Sequence, residues 1–413
     1  MHFTELALNK PILKAIFEKN YDSPTEVQKR TIPLILDKKD LIASAQTGTG
    51  KTAAFALPIL QLLFHQQDAV KKGKRVRALI VSPTRELAVQ IEEELKAYGK
   101  YTNLRTTCVF GGTSIEPQKE VLKKGVDILI ATPGRLLDLR KQEIVNLDKV
   151  EVLVLDEADL MLDMGFIDDV QKIERMCPEE KQCLLFSATM PAKVVQLART
   201  ILKDPERVEI TPTAMAANSV TQLLYYVPKS SKIELCLHLL RNEVRGNILI
   251  FRRTKNGVDK LEQTLLKNDY NVDSLHGDKT QSARQKALNK FKNGDVNILI
   301  ATDVASRGID IDGLDVVVNF DLPNISETYV HRIGRTGRAG KSGISYSFCS
   351  ADEKNNVVSI QKLIKNSIKV VEDHPYPLDP KTKPQIHRKK KTGSKHKSGR
   401  KSAASKKNKK RWY

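Results

Sequence analysis

Short, uninterrupted apolar segments are the feature that most restricts the fold of this chain. They span three or four residues each, and helical or turn-rich sequence separates them. The segments are 78–81, 128–131, 152–155, 248–251, 298–301 and 316–318. Because the apolar residues do not alternate with polar ones, both faces of each strand are expected to be covered, as in parallel sheets with helical crossovers. The pattern predicts an α/β fold.

An internal repeat predicts two copies of this architecture. Residues 128–132 and 298–302 both read ILIAT, and at the same offset 78–84 (ALIVSPT) corresponds to 248–254 (ILIFRRT). Chance similarity between apolar strands is the alternative explanation. A length of 413 residues also suits two domains of about 150–200 residues. We expect domain 1 over residues 1–205, a linker over 206–218, domain 2 over 219–371 and a tail over 372–413.

The positive charge is concentrated in that tail. The net charge is +20, and residues 381–413 contain 15 of the 69 Lys and Arg residues and no Asp or Glu. The rest of the chain therefore has 54 basic and 49 acidic residues, which nearly balance. Such a tail cannot bury enough apolar surface to fold, so we expect it to be disordered and to favour polyanions.

Several classes of protein are disfavoured by the sequence. No apolar run approaches the roughly 18 residues of a membrane-spanning helix, and the N-terminus lacks the pattern of a signal peptide. The five cysteines form no C-x-x-C pair, and the eight histidines show no metal-binding spacing. We therefore expect a protein of the reducing cytoplasm without a disulfide framework or a zinc site.

A glycine-rich turn follows an apolar strand at residues 41–52, LIASAQTGTGKT. It fits the P-loop pattern except that Ala45 stands at the first glycine position. Glycines let backbone N–H groups converge on phosphates, Lys51 adds positive charge, and the Thr52 hydroxyl suits Mg²⁺. A plain turn is the alternative. The predicted phosphate-binding residues are Ala45, Gln46, Thr47, Gly48, Thr49, Gly50, Lys51 and Thr52.

A second apolar strand ends in carboxylates at residues 150–159, VEVLVLDEAD. Asp156, at the strand tip, is expected to bind Mg²⁺, and Glu157 to accept a proton from the attacking water. Acidic residues also favour the start of a helix, and that alternative suits Asp159 better than Asp156.

Three arginines lie at intervals of three in residues 331–338, HRIGRTGR. An arginine that reaches across from another domain can stabilise the charge on a phosphate during its transfer. A solvated basic helix face is the alternative.

Four segments together resemble the DEAD-box family of ATP-dependent RNA helicases. The P-loop segment, DEAD at 156–159, SAT at 187–189 and HRIGRTGR occur in that order, and the resemblance covers about residues 3–371. It implies two tandem RecA-like domains, ATP and Mg²⁺ as cofactors, and RNA as partner. It also implies catalytic roles for Glu157, Asp156, Lys51, Arg335 and Arg338.

The resemblance extends to the contacts with the nucleotide. Tyr21 and Gln28, in a segment similar to the family's adenine-recognition motif, would contact the base, together with Phe3. Asn20 stands where the family has glycine. Further nucleotide contacts are implied for Gly308, Asp310 and His331. Ser187 and Thr189 would couple hydrolysis to strand separation.

The implied RNA contacts lie in both domains and address phosphate and sugar, so little sequence preference is expected. They are Arg85, Gly112, Thr132, Gly134, Arg135, Arg252, Thr254, Arg284 and Thr302.

The resemblance therefore implies an ATP-dependent RNA helicase that unwinds short duplexes locally. The segment VFGGTSIEPQ at 109–118 is similar to the bacterial RhlE-type subgroup, which implies ribosome assembly or RNA turnover. An ATP-gated RNA clamp or annealing chaperone, and a DNA helicase, remain as alternatives. A monomer is favoured.

Overall fold

The structure is a computed structural model, and it describes residues 1–45, 48–65, 75–210, 220–306, 314–337, 342–379 and 381–382. The predicted disordered tail beyond residue 382 lies outside these ranges.

Two seven-stranded sheets organise the chain. The strands are β1 Leu41–Ser44, β2 Ala78–Val81, β3 Thr106–Val109, β4 Ile128–Ala131, β5 Val152–Leu155, β6 Gln182–Ser187, β7 Glu206–Glu209, β8 Val220–Tyr226, β9 Ile248–Phe251, β10 Val272–Leu275, β11 Ile298–Ala301, β12 Val316–Asn319, β13 Gly343–Cys349 and β14 Lys369–Val370. The first sheet has the order β3-β4-β2-β5-β6-β1-β7 and the second β10-β11-β9-β12-β13-β8-β14. Every pair of neighbouring strands is parallel. The prediction of two tandem RecA-like α/β domains is confirmed.

Helices connect the strands within the described ranges. They are α1 Lys10–Glu18, α2 Glu26–Leu36, α3 Lys51–His65, α4 Arg85–Tyr98, α5 Glu116–Lys123, α6 Pro133–Lys141, α7 Ala158–Asp163, α8 Ile167–Arg175, α9 Ala192–Ile201, α10 Lys232–Asn242, α11 Lys255–Leu266, α12 Gln281–Asn293, α13 Asp303–Ser306, α14 Ser326–Ile333 and α15 Lys354–Ile364. None of these helices combines the length and the apolar character needed to cross a lipid bilayer.

Both faces of the first sheet are buried, as the continuous apolar runs predict. In β2, Ile80 packs into the core on one face of the sheet and Leu79 into the core on the other. In β5, Val154 and Leu155 likewise pack into the cores on opposite faces of the sheet. Successive side chains of a strand point to opposite faces, so only a strand covered on both sides can be apolar throughout.

The internal repeat corresponds to equivalent strands. The two ILIA segments form β4 and β11, and ALIV and ILIF form β2 and β9. When each strand number of the first sheet is raised by seven, the order of the second sheet results. The two domains therefore share one topology.

The edges of the domains differ in detail from the sequence-based boundaries. β7, Glu206–Glu209, pairs with β1 and belongs to the first sheet, although these residues are assigned to the linker above. Val208 is its one buried side chain and joins the domain 1 core, a single apolar residue that gives little signal in sequence. Likewise, Leu378 is buried, and its N–H donates to the carbonyl oxygen of Tyr226. Residues 372–379, which the sequence-based boundaries assign to the tail, therefore pack against domain 2 at Leu378.

A buried ion pair fastens the helices of domain 2 to its sheet. The Lys232 Nζ, on α10, donates to Glu353 Oε2 at 2.6 Å and to the Phe320 carbonyl oxygen at 2.8 Å. Glu353 also accepts from the backbone N–H groups of Leu322 and Ser350. Both charged side chains are at most 5% exposed, and Arg253, which is more exposed, lies 2.8 Å from the other oxygen of Glu353. Removing Lys232 would therefore leave a buried carboxylate with less compensation.

We expect Lys232→Met to lower the free energy of unfolding of domain 2 by about 3 kcal/mol, because it removes the buried cation of Glu353 and leaves only the partly exposed Arg253 beside that carboxylate. Lys229→Met is the matched control, since Lys229 is 65% exposed and lies 3.9 Å from Asp352. Loss of that surface pair should cost about 1 kcal/mol or less. Urea denaturation measures both, and equal effects would contradict the prediction.

Candidate nucleotide site and nucleic-acid interface

Three neighbouring strands of the first sheet deliver the predicted ATP-site segments to one edge. In the order β5-β6-β1, the strands end immediately before Asp156, at Ser187 and before Ala45. The backbone N–H of Ala45 donates to the Ser187 carbonyl oxygen at 3.0 Å. The carboxyl edge of a parallel sheet is where such folds bind ligands, and here it brings together the P-loop, the DEAD segment and the SAT segment.

The P-loop turn depends on a glycine held against Gln28. Gly50 has φ +92°, and a Cβ there would collide with the Gln28 side-chain amide. That amide donates from Nε2 to the Gly50 carbonyl oxygen at 3.1 Å. Its Oε1 accepts from the N–H of Thr25, the N-cap of α2, at 2.9 Å. Gln28 therefore links the base-recognition segment directly to the phosphate-binding turn.

Aromatic side chains lie beside Gln28 in the cavity that also contains the P-loop turn. Phe3, Tyr21 and Gln28 line a cavity of about 640 Å³ together with Gly48, Lys51 and Thr52. Tyr98 of α4, which the sequence analysis did not identify, lies 6.3 Å from Tyr21 between ring centroids. Burial, with Glu94 nearby, raises the pKa of Tyr98.

Asn20 explains how this chain replaces the family's glycine before the aromatic residue. Its φ is +57°, in the left-handed region. Asparagine tolerates this conformation better than most residues other than glycine, so Asn20 can form the left-handed turn before Tyr21.

The charged centre of the cavity is the pair Lys51–Glu157. Lys51 Nζ lies 2.8 Å from Glu157 Oε1, and Lys51 is only 6% exposed. Burial opposes the charged form of Lys51, but the carboxylates of Glu157 and Asp156 outweigh it, so the pKa of Lys51 lies above its usual value. Lys51 is thus a fixed cation beside the predicted phosphate site.

Asp156 is the residue best suited to a cation. Burial, followed by repulsion from Glu157, raises its pKa to about 7. Its Oδ1 is buried and has no hydrogen-bond partner among the residues that the structure describes. An unsatisfied buried carboxylate oxygen is costly, and oxygen ligands are those that Mg²⁺ prefers. Together with the Thr52 hydroxyl on the same cavity, Asp156 fits a magnesium ion.

Glu157 has a strained backbone. It is the N-cap of α7, with φ +53° and ψ +54°, a left-handed conformation that non-glycine residues adopt at a cost of about 1–3 kcal/mol. Such strain concentrates at functional sites. It fits the expectation that this carboxylate must face the cavity.

Asp159 does more than stabilise the start of a helix, which is the role that the sequence alone favoured for it. Its Oδ2 accepts from the N–H of Thr189 at 3.0 Å and from the Thr189 hydroxyl at 2.8 Å. Its own N–H donates to Ser187 Oγ at 3.2 Å. Burial opposes its charge, but Lys51 and the Thr189 hydroxyl outweigh this effect and lower the pKa of Asp159. Asp159 thereby ties the DEAD segment to the SAT segment.

Domain 2 contributes to the same site. Arg335 lines the nucleotide cavity with Lys51 and Glu157, and also an adjoining cavity of about 340 Å³. That second cavity includes His331 of domain 2 and Thr189 of domain 1. Arg332, one turn before Arg335, is buried and binds Asp303 through two hydrogen bonds of 2.6 and 2.8 Å. This pair holds α14 against the end of β11.

Most of the predicted RNA contacts converge on a groove of about 440 Å³ between the domains. Its lining includes Arg85, Thr132, Gly134 and Arg135 of domain 1 and Arg284 of domain 2. Arg284 Nη2 also lies 3.1 Å from Oε1 of Glu86, an interdomain ion pair that the sequence analysis did not identify.

Individual residues of this group differ in exposure. Arg135 is 9% exposed and donates to the Thr113 carbonyl oxygen at 2.8 Å, so it supports the turn that contains Gly112. Arg85 packs over the ring of Phe110 at 4.3 Å. Thr302 is buried just beyond β11.

Arg252 and Thr254 are engaged within domain 2. The Arg252 guanidinium lies 4.0 Å above the ring of Phe320, its Nε is 3.5 Å from Asp321, and its side chain is 15% exposed. Thr254 caps α11 by accepting from the N–H of Gly257. The structure therefore does not bring the Arg252 guanidinium to the interdomain groove. The predicted site residues Gln46, Thr47, Gly308, Asp310 and Arg338 lie outside the described residues.

We expect Asp156→Asn to stabilise the nucleotide-free protein increasingly as the pH rises. With a pKa of about 7 when folded and 3.8 as its reference value, Asp156 binds its proton more tightly in the folded state. Its contribution is fully present below pH 3.8 and is lost as the pH rises towards about 7. Asparagine does not ionise. The free energy of unfolding of Asp156→Asn, relative to that of wild type, should therefore rise by about 2 kcal/mol between pH 5 and pH 7.

Urea denaturation without nucleotide or Mg²⁺, at several pH values, tests this expectation. Asp168→Asn, which removes an exposed carboxylate from α8, is the control. A difference between Asp156→Asn and wild type that does not change with pH would contradict it.

Known proteins with similar sequences and structures place the chain in a family. Residues 25–198 match the family described as DEAD/DEAH box helicase, and residues 231–340 match the helicase conserved C-terminal domain. Over 370 residues the chain is 43% identical to the DEAD-box ATP-dependent RNA helicase RhpA of Helicobacter pylori, covering 90% of this chain and 74% of RhpA. It is 41% identical to the DEAD-box ATP-dependent RNA helicase CshA of Bacillus subtilis over 366 residues, 89% of this chain and 73% of CshA.

The fold agrees with that family. The solved structure of S. cerevisiae Dbp5 bound to RNA and ADP BeF3 is similar with a TM-score of 0.78 and 32% sequence identity, over 90% of this chain and 95% of Dbp5. The cavity that joins Lys51, Glu157 and Arg335 is consistent with ATP-dependent chemistry between two domains. The chain belongs to the DEAD-box family of ATP-dependent RNA helicases.

Proposed function

We propose that this protein uses ATP and RNA together to close its two domains and so separates short RNA duplexes locally. The observation that carries the proposal is that Arg335 of domain 2 lines one cavity with Lys51 and Glu157 of domain 1. A site completed by both domains is active only when they are together. Each ligand that favours closure therefore also favours binding of the other.

The roles at the nucleotide follow from these positions. Phe3, Tyr21 and Gln28 hold the base, while Lys51 and the N–H groups of the P-loop turn bind the phosphates. Thr52 and Asp156 would hold Mg²⁺, which would neutralise charge on the β- and γ-phosphates. Glu157 accepts the proton of the attacking water, and Arg335 stabilises the charge on the γ-phosphate. The same role for Arg338, which lies outside the described residues, rests on the family resemblance alone. The Lys51–Glu157 pair must loosen for Lys51 to engage the phosphates.

The proposed coupling runs from the DEAD segment to the RNA groove. Asp159 holds Thr189 and Ser187, and Thr189 lines the cavity that His331 of domain 2 also lines. The interdomain pair Glu86–Arg284 lies in the groove of the predicted RNA contacts. RNA held there by backbone contacts would be bent on closure, which would release its complement. Dbp5 bound to RNA and ADP BeF3 is the similar structure that supports binding of both ligands.

We propose membership of the bacterial RhlE-type subgroup, a monomer in the cytoplasm, and a role in ribosome assembly or RNA turnover. The segment 109–118 supports the subgroup, and Gln118 fixes its turn through hydrogen bonds to both backbone groups of Phe110. We propose that the basic tail adds sequence-independent affinity for RNA.

We expect Glu157→Gln to bind ATP and RNA, to hydrolyse ATP at least about 100-fold more slowly, and to release RNA correspondingly slowly. Without the base the closed state cannot proceed to products, so RNA stays bound. A chase of fluorescent RNA with unlabelled RNA in the presence of ATP measures the release. Glu180→Gln, at an exposed glutamate, is the matched control and should release RNA like wild type. Rapid release from Glu157→Gln would contradict the assignment of the base.

A further inference from the structure

A second groove, of about 680 Å³, adjoins the groove of the predicted RNA contacts. Arg85, Gly112 and Thr113 form its domain 1 wall, and α12 of domain 2 forms much of the other. Arg85 lines both grooves, so they are continuous. The residues from α12 and its N-cap are Thr280, Ser282, Gln285, Lys286, Asn289, Lys290 and Asn293. All of these side chains are polar, which makes the groove unsuited to an apolar partner.

The helix α12 divides into two contrasting faces. Ala287, Leu288 and Phe291 are buried in the core of domain 2. Gln285, Lys286 and Asn289 are exposed on the groove side. Their spacing places Gln285 and Asn289 one turn apart, with Lys286 beside them. Gln285 Nε2 donates to Asn289 Oδ1 at 3.0 Å, which holds the two side chains side by side. Core packing thus fixes the orientation of a stripe in which the Lys286 ammonium group and the other amide atoms of Gln285 and Asn289 can bind a ligand.

All the charged residues of α12 are basic. Its thirteen residues, QSARQKALNKFKN, contain four Lys and Arg residues and no Asp or Glu. Residues 1–380 as a whole have nearly equal numbers of basic and acidic residues, so the excess of positive charge on this helix is local. The acidic residue in the lining of the groove is Asp295, which lies beyond the end of α12.

Lys286 is the cation of the stripe that is available to a ligand. Lys290 is 3.3 Å from Asp273, and Arg284 is paired with Glu86. Lys286 is exposed, and it forms no ion pair with another residue in the described part of the chain. Arg85 supplies a second positive charge from the opposite wall.

We propose that this groove binds the backbone of a single RNA strand as it continues from the predicted contacts Arg85 and Gly112 along α12, with Lys286 on a phosphate and Gln285 and Asn289 on phosphate or 2′-hydroxyl oxygens. The inference rests on the proposed function, because it extends the same RNA path. Amides both donate and accept hydrogen bonds, which suits hydroxyl and phosphate groups alike. Among the residues that the structure describes, no aromatic side chain lines the groove for base stacking, so we expect binding here to be independent of sequence.

Binding of single-stranded RNA to the full chain, in the presence of a non-hydrolysable ATP analogue, tests this proposal. We compare RNAs of about 5 and about 20 nucleotides, since only the longer one can fill a track of this kind. Affinity is measured as a function of salt for wild type, Lys286→Ala and the double variant Gln285→Ala/Asn289→Ala. Lys260→Ala is the matched control, because Lys260 is an exposed lysine on α11 outside the groove lining.

For the longer RNA we expect Lys286→Ala to weaken binding about fourfold at about 150 mM salt and to reduce the salt slope by about 0.7, the value for one phosphate contact on a single strand. The amide double variant should weaken binding without changing the slope, since it removes no charge. Lys260→Ala should match wild type. The short RNA should bind all variants equally.

Two results would overturn the inference. If Lys286→Ala binds long RNA with wild-type affinity and slope, the groove carries no strand, although the proposed function stands. If the variant weakens short and long RNA equally, Lys286 acts at the primary contacts instead. Failure of the wild-type chain to bind any RNA would overturn the proposed function together with this extension.

Discussion

The parallel direction of all strands is the constraint on which the rest of this structure depends. It brings every strand's carboxyl end to the same edge of its sheet. The P-loop, DEAD and SAT segments are far apart in sequence, yet they meet there because β1, β5 and β6 are neighbours. The second sheet repeats the order and delivers Asp303 and the α12 helix to its own edge. Two such edges facing each other make one composite site, with Arg335 contributing from the second domain.

The charged centre of this site is unfavourable for the isolated protein. Lys51, Asp156 and Glu157 are buried together, Asp156 has a raised pKa and an unsatisfied oxygen, and Glu157 has a strained backbone. Buried groups of this kind do not stabilise a fold, in contrast to the Lys232–Glu353 network, in which each partner is satisfied. The arrangement is explained when phosphates and a cation complete it. The ligand-free protein is thus less stable at this site than it would be with apolar residues there, and binding of the ligand compensates for the loss.

Much of this account could be predicted from sequence because the relevant residues are close together in the chain. The apolar runs predicted the parallel sheets, and the ILIAT repeat predicted the equivalence of β4 and β11. Lys51, Asp156 and Glu157 belong to short segments with a recognisable spacing. Asp159 was harder to interpret because its partner Thr189 is 30 residues away. The pairing of Glu86 with Arg284, and the inward orientation of Arg252, depend on tertiary contacts that no local pattern contains.

The central claim is that ATP chemistry depends on closure of two domains by RNA. Steady-state ATP hydrolysis, measured without nucleic acid, with single-stranded RNA and with DNA of the same sequence, tests this claim most directly. The account predicts strong stimulation by RNA, since the two domains complete the site only together. It predicts little stimulation by DNA, which lacks the 2′-hydroxyl groups of the sugars that the predicted contacts address. An ATPase rate that RNA does not change would contradict it and would favour a binding protein in which the two sites are not coupled.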